Sequence, residues 1–198
     1  SCWAFSTTGA VESAMSIAGW NPTVELSEQQ LVDCDKGFLK NYGCDGGDMG
    51  KALDYVIKHQ LASEQEYPYT AKDGKKCLSK NLKTFSQVKK YLNVVGNDMS
   101  QFKAALAVAP LSIGIEADKD VFHSYSSGII TSTSCGETID HGVLAVGWDV
   151  DESDGTEYAI VKNSWGEDWG ENGYVRIALN PKNICGILWE PRYAVIKN

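Results

Sequence analysis

Cys2-Trp3-Ala4-Phe5-Ser6-Thr7-Thr8-Gly9-Ala10-Val11-Glu12-Ser13-Ala14-Met15-Ser16-Ile17-Ala18-Gly19 decides how the first half of the chain is read. Trp3, Phe5, Ala10, Val11, Ala14, Met15 and Ile17 fall mostly at three- and four-residue spacings, the period of a helix with a buried face. Gly19 supplies the stop. Working outward, Ser27 precedes Glu28-Gln29-Gln30-Leu31-Val32 as an N-cap, and Gln30 stands three residues on, at capping-box spacing. A third helix is expected over 49–60. A short one is expected over 100–107, capped by Ser100 and ended by Pro110. Beyond Pro110 the period changes. Leu111-Ser112-Ile113-Gly114-Ile115 alternates, as do Gly142–Trp148 and Tyr158–Lys162, and Gly173–Leu179 reads as a fourth strand. Asp151–Gly155, polar and glycine-bearing, is a hairpin loop. Helices first and strands second predict an α+β protein in two subdomains. These are a helical half at 1–92 and a strand-rich half at 93–198, divided near Tyr91–Asn97, with the last residues crossing back to the helical side.

Composition narrows the function. The 198 residues carry a net charge of −8, which argues against a nucleic-acid partner, since such proteins present a basic face. No run of apolar residues is long enough to span a membrane. Hydrophobic content of 43% and charged content of 22% describe a chain able to build a core. The chain opens on Ser1 inside an already patterned segment, with neither Met nor an apolar leader, so a cut end is expected. Six cysteines, Cys2, Cys34, Cys44, Cys77, Cys135 and Cys185, leave several disulfide pairings open. None forms a Cys-x-x-Cys pair, so no metal site is expected. No N-glycosylation sequon occurs.

Three segments carry the chemistry. Cys2-Trp3-Ala4-Phe5-Ser6 opens a helix. Asp140-His141-Gly142 opens a strand. Asn163-Ser164-Trp165-Gly166-Glu167-Asp168-Trp169-Gly170-Glu171-Asn172-Gly173-Tyr174 packs glycines and aromatics into one run. With Leu26-Ser27-Glu28-Gln29-Gln30-Leu31-Val32-Asp33-Cys34 and Gly43-Cys44-Asp45-Gly46-Gly47, they resemble the papain family of cysteine proteases, in its cathepsin L-like branch, along the whole chain. His141 follows Cys2 by roughly 140 residues, inside the spacing known for that family, and Asn163 by roughly 160, somewhat further, as a longer loop would give. Taken singly, Cys2 is an ordinary thiol, His141 a structural histidine and Asn163 a turn residue. Taken together, each in its own motif, they point to nucleophilic catalysis.

The physical requirement stands without the family. A thiol of pKa ~8.5 is only about 3% thiolate at pH 7 and far less in acid. A helix N-terminus at Cys2 would favour the anion, as papain itself illustrates in the general rule for thiolates. His141 would pair with it as imidazolium, protonate the leaving amine and later activate water. Asn163 would orient the ring, the papain-type variant of a catalytic triad, and Trp165 would cover that bond.

The resemblance further implies a papain-like two-subdomain fold, with a helical half, an antiparallel β-barrel half and the active site in the cleft between them. It pairs Cys34 with Cys77 and Cys135 with Cys185. It leaves Cys44 unpaired, because its partner would lie upstream of Ser1, as would a Gln that helps form the oxyanion hole. The 198-residue chain alone is therefore expected to be weak or inactive. Gly46 and Gly47 match the strip that pairs with substrate backbone. The pocket for the second residue upstream of the cut (P2) would be walled by Asp48, Met49, Gly114, Ile139 and Gly142, with Glu190 at its base, and Asp140 is a further substrate-binding candidate. It is expected to admit Phe or Leu and, through Glu190, Arg. His59 and His123 lack such context, being read as a helix end and a surface residue. Without a His-bearing occluding loop in the first half, an endopeptidase is expected. It needs no cofactor, acts as a monomer on protein and peptide substrates, and is restrained by its own pro-segment and by cystatin-type inhibitors. Disulfides imply a lysosome, another acidic vacuole, or secretion. The alternatives are a non-catalytic relative serving as a binding module, and a Cys–His acyltransferase on the same fold.

Overall fold

The computed structural model describes residues 1–20 and 24–198. The chain divides into two compact units, Ser1–Leu92 with Tyr193–Asn198, and Asn93–Arg192.

The first unit is built on helix α1 (Cys2–Ile17). It buries Ser6, Thr7 and Thr8 as well as Trp3, Ala4, Ala10, Val11, Ala14 and Met15, so it is enclosed on more than one face. The inward hydroxyls are satisfied locally, as where Thr7 donates to the Trp3 carbonyl at 2.7 Å. Gly19, at φ +82°, follows the helix in the left-handed conformation. Helix α2 (Glu28–Cys34) starts at Ser27, whose hydroxyl accepts from the Gln30 amide at 3.0 Å. The reciprocal half of the capping box does not form. The Gln30 side chain donates instead to the Gln60 carbonyl and the Tyr55 hydroxyl and accepts from the Ala62 amide, tying α2 to the segment after α3 (Met49–His59). Trp3, Leu26, Leu31 and Leu53 form the core with Leu61 and Val88. Strand β1 (Val88–Asn93) closes the unit by pairing with the C-terminal strand, and Ala194 and Ile196 join the same core. Cys34 is bonded to Cys77.

The second unit opens with helix α4 (Met99–Leu106). Its cap is Asp98, which accepts from the Gln101 amide, and not Ser100. The carboxylate reaches the third amide beyond it, whereas Ser100 already lies inside the first turn. Strand β2 (Leu111–Ile115) is buried along its whole length. It pairs antiparallel with β4 (His141–Val150), which continues antiparallel to β5 (Glu157–Lys162) and then β6 (Tyr174–Ala178). Between β2 and β4 lie the one-turn helix α5 (Asp120–His123) and the two-residue strand β3 (Ile129–Ile130). β3 pairs parallel with β6, so the sheet is mixed and not purely antiparallel. The whole β4–β5 hairpin intervenes between β3 and β6, and so long a connection permits parallel pairing. The last strand, β7 (Arg192–Ile196), meets β2 only at Ser112 and Arg192 before running on into the first unit. Cys135 is bonded to Cys185. These elements make an α+β protein.

Candidate active site

In the first unit α1 begins at Cys2 itself. Ser1 is the N-cap, no side chain caps the helix, and its first turn holds no acidic residue. The sulfur therefore stands where free amides and the helix dipole favour an anion. Cys2 is half-buried and outside both disulfides. The next residue fixes what lies alongside. Trp3 is fully buried, and its indole N–H donates to the Gly43 carbonyl at 2.9 Å. That bond anchors the strip from Gly43 to Asp48 beside the helix start. A Cβ on Gly47 would stand 2.6 Å from the Trp3 ring and 2.8 Å from the Asn41 amide, so a side chain is sterically excluded there. Gly46 has open space but a φ of +121°. Asp48 caps α3 through the Lys51 amide at 2.9 Å, and Met49 is buried in the unit's core. Cys44, the other thiol outside the disulfides, is exposed. Desolvation of its sulfur, and then the Asp73 carboxylate beside it, push that thiol up from its ordinary range.

In the second unit His141 is the first residue of β4, opposite Ile115, and Gly142 stands opposite Gly114. Both the residue before and the residue after are fixed. The Asp140 amide donates to the Ile115 carbonyl at 2.9 Å, and the Asp140 carboxylate accepts from the Ala117 amide at 2.8 Å. His141 and Asn163 are both buried, with His141 Nε2 and Asn163 Oδ1 2.7 Å apart. Asn163 follows β5 directly, and its Oδ1 also accepts from the Ser164 backbone amide at 2.8 Å. An atom that accepts from a backbone N–H is the amide oxygen, so Nε2 must be the donor. Nδ1 is then the ring nitrogen left for proton transfer. Trp165 lies across this pair, its ring 5.0 Å from the His141 ring. It is held in turn by buried Phe122 at 5.5 Å and by Trp169 at 5.3 Å, both edge to face. His123, exposed, stacks on the same indole at 5.4 Å. His59 ends α3 and stacks on Tyr55.

A wall of the second unit gathers Gly114, Ile139 and Glu190. A Cβ on Gly114 would stand 2.5 Å from Ile139 Cγ2 and 3.0 Å from Glu190 Oε1. Glu190 is paired with Arg192 at 3.2 Å. Arg192 escaped the sequence reading. No local pattern linked it to Glu190, which lies in a bend before β7 begins at Arg192. Phe122 escaped too, because a four-residue helix gives no periodic signal. The structure thus groups Cys2 with Gly46 and Gly47 in the first unit. It groups His141, Asn163 and Trp165, and separately Gly114, Ile139 and Glu190, in the second. Among the described residues no cluster of His, Cys, Asp and Glu could hold a metal ion, and no helix is long and apolar enough to cross a membrane.

Residues 1–195 match the model of the family described as papain family cysteine protease. The chain is 43% identical over 199 residues to a probable cysteine protease, RDL2, of Arabidopsis thaliana, covering 98% of this chain and 54% of that protein. It is likewise 43% identical to the cysteine endopeptidase RepA of Oryza sativa subsp. japonica, covering 98% of this chain and 52% of that one. The chain therefore spans about half the length of the curated relatives it matches. Among solved structures it resembles the bromelain protease of Ananas comosus in complex with the E64 inhibitor. There the TM-score is 0.89 and the identity 35%, over 99% of this chain and 89% of that one. It also resembles digestive procathepsin L 3 of the Tenebrio molitor larval midgut, with TM-score 0.90 and 36% identity, over 99% of this chain and 63% of that one.

Proposed function

Because the chain belongs to the papain family of cysteine proteases, we propose that it is a thiol endopeptidase whose nucleophile is Cys2. The observation that carries this reading is the bond between His141 Nε2 and Asn163 Oδ1, with the oxygen fixed by Ser164, because it reserves Nδ1 for the reaction. The Cys2 thiolate attacks the scissile carbonyl carbon. His141, as imidazolium, gives its Nδ1 proton to the departing amine as the C–N bond breaks. Neutral His141 then takes a proton from water, whose oxygen attacks the thioester and releases the acid. Asn163 holds the ring in plane throughout, and Trp165 keeps water from its bond. Gly46 and Gly47 leave the substrate backbone room for close approach. At P2 the enzyme accepts Phe or Leu, and Glu190 is the group that decides about Arg.

Other parts of the reading follow from the family and from the two disulfides. Solved relatives include an inhibitor complex and a proform. By resemblance to the family, a pro-segment and cystatin-type inhibitors are the partners of this chain, and it acts as a monomer. Its compartment is a lysosome, another acidic vacuole, or the exterior, where disulfides persist.

Carbamidomethylation at pH 5, mapped by peptide mass spectrometry, tests the mechanism within one molecule. Cys2 should react at least ~100-fold faster than Cys44, since an ordinary thiol is almost entirely protonated there. Equal rates would remove the thiolate and leave a non-catalytic binding module as the better account.

A further inference from the structure

The wall that holds Glu190 contains a second charge. Arg192 donates from Nη2 to Glu190 Oε2 at 3.2 Å and from Nε to Asn93 Oδ1 at 3.1 Å. Its side chain is only 14% exposed, against 36% for Glu190. Its backbone is fixed as well, opposite Ser112 of β2. The guanidinium is thus held at two of its nitrogens and at its main chain, so it is a fixed charge and not a surface arm. The remaining carboxylate oxygen, Oε1, faces the space over Gly114 that a methyl group would fill, against Ile139. Ile139 and Trp189 meet in turn over Gly186, where a Cβ would stand 2.9 Å from Ile139 Cδ1 and 3.1 Å from Trp189 Cδ1. Glycines therefore open an apolar wall whose carboxylate is already paired with Arg192.

We propose that Arg192 is a specificity-determining residue: by neutralising Glu190, it makes this wall select apolar P2 side chains and turn away Arg. The inference rests on the endopeptidase reading, in which this wall receives the P2 side chain. An incoming guanidinium would gain only Oε1 of a carboxylate whose other oxygen is already bonded to Arg192, and would meet a like charge a few ångströms behind it. Like charges brought together reject a partner more strongly than a lost contact does. The pair also defines the two opposite errors. Without Arg192 the carboxylate stands alone and attracts Arg. Without Glu190 the guanidinium stands alone and attracts an acidic side chain.

Internally quenched peptides that differ only at P2, carrying Leu, Arg or Glu, test this as ratios of kcat/KM. The native enzyme should favour Leu over both. Arg192→Gln should raise the Arg:Leu ratio by about 10-fold or more, and Arg192→Lys, which keeps the charge, should hold it within about threefold. Glu190→Gln should raise the Glu:Leu ratio by about 10-fold without raising Arg:Leu. The proposal is overturned if Arg192→Gln cuts the Leu peptide with an unchanged Arg:Leu ratio. It is overturned equally if the native enzyme already prefers Arg. Should Arg192→Gln fail to melt cooperatively, the Glu190→Gln ratio decides alone, an unchanged Glu:Leu value being fatal. A native protein that cuts no peptide while Cys2 and Cys44 alkylate alike defeats the endopeptidase reading itself, and the inference with it. Failure of the ratios in an enzyme that cuts the Leu peptide defeats only the role given to Arg192.

Discussion

His141 and Asn163 are joined by one short contact, and its chemistry depends on a third residue. Cys2, His141 and Asn163 stand out in the sequence because each sits in its own motif: Cys2-Trp3-Ala4-Phe5-Ser6, Asp140-His141-Gly142 and the glycine- and aromatic-rich run from Asn163. The choice of ring nitrogen was not, since it depends on the Ser164 amide that fixes the Asn163 oxygen. Asn163→Ala removes a hydrogen bond to a ring that becomes charged, worth ~1.5–3 kcal/mol. kcat/KM should therefore fall about 10- to 100-fold, mostly in kcat. A loss confined to KM would argue that Asn163 only shapes the binding surface. Glu28 offers a prediction of a different kind. Burial, then the nearby Glu12 and Glu64 carboxylates, push its carboxyl up to about 7, against the opposing hydrogen bond from the Thr8 hydroxyl at 2.8 Å. A carboxyl whose pKa is higher folded than unfolded binds its proton more tightly in the native state. Its contribution is therefore complete below the unfolded value and is lost as pH rises through about 7. Urea midpoints should fall between pH 4.5 and 7.5, by on the order of a few kcal/mol of stability. Glu28→Gln should flatten that slope. Parallel curves for the two proteins would show that Glu28 does not set it.

At the scale of elements, the readable ones carried their own signals and the rest borrowed theirs. α1 showed its period and its glycine stop, α2 its Ser27 cap, and the buried strand β2 a β-branched alternation. β1 did not, because only Val88 is fully buried and Tyr91 half-buried, while Lys89, Lys90 and Leu92 are exposed, which is no alternation. It is a strand by virtue of pairing with β7, a hundred residues away in the chain, and no local pattern encodes that. α4 was readable as a helix but its cap was misplaced by two residues, since Asp98 and Ser100 are both good capping types. Substitution separates them. Asp98→Ala should cost about 1 kcal/mol, read as a lower thermal midpoint, whereas Ser100→Ala should stay within about 0.5 kcal/mol. The reverse order would return the cap to Ser100.

At the scale of the molecule, the division after Leu92 leaves the first unit owning the C-terminal strand. In the sequence, the turn from helical to alternating periodicity marks off two halves. The ownership of β7 follows from the burial of Ala194 and Ile196 against Val88, which only the folded chain reveals. Ending the chain after Arg192 should therefore destabilise the first unit by at least ~2–4 kcal/mol. Hydrogen exchange should show amides of Val88–Asn93 unprotected while β4 and β5 stay protected. Protection retained in β1 would mean that the first unit is complete without β7. The same ownership orders events on the ribosome. β1 emerges early and must wait, unpaired along both edges, through the synthesis of the entire second unit before its partner strand is made. The second unit can complete its own antiparallel core during that wait, whereas the first finishes last. An open, lysine-bearing edge is a tolerable thing to leave waiting, since charge discourages pairing with a neighbouring nascent chain.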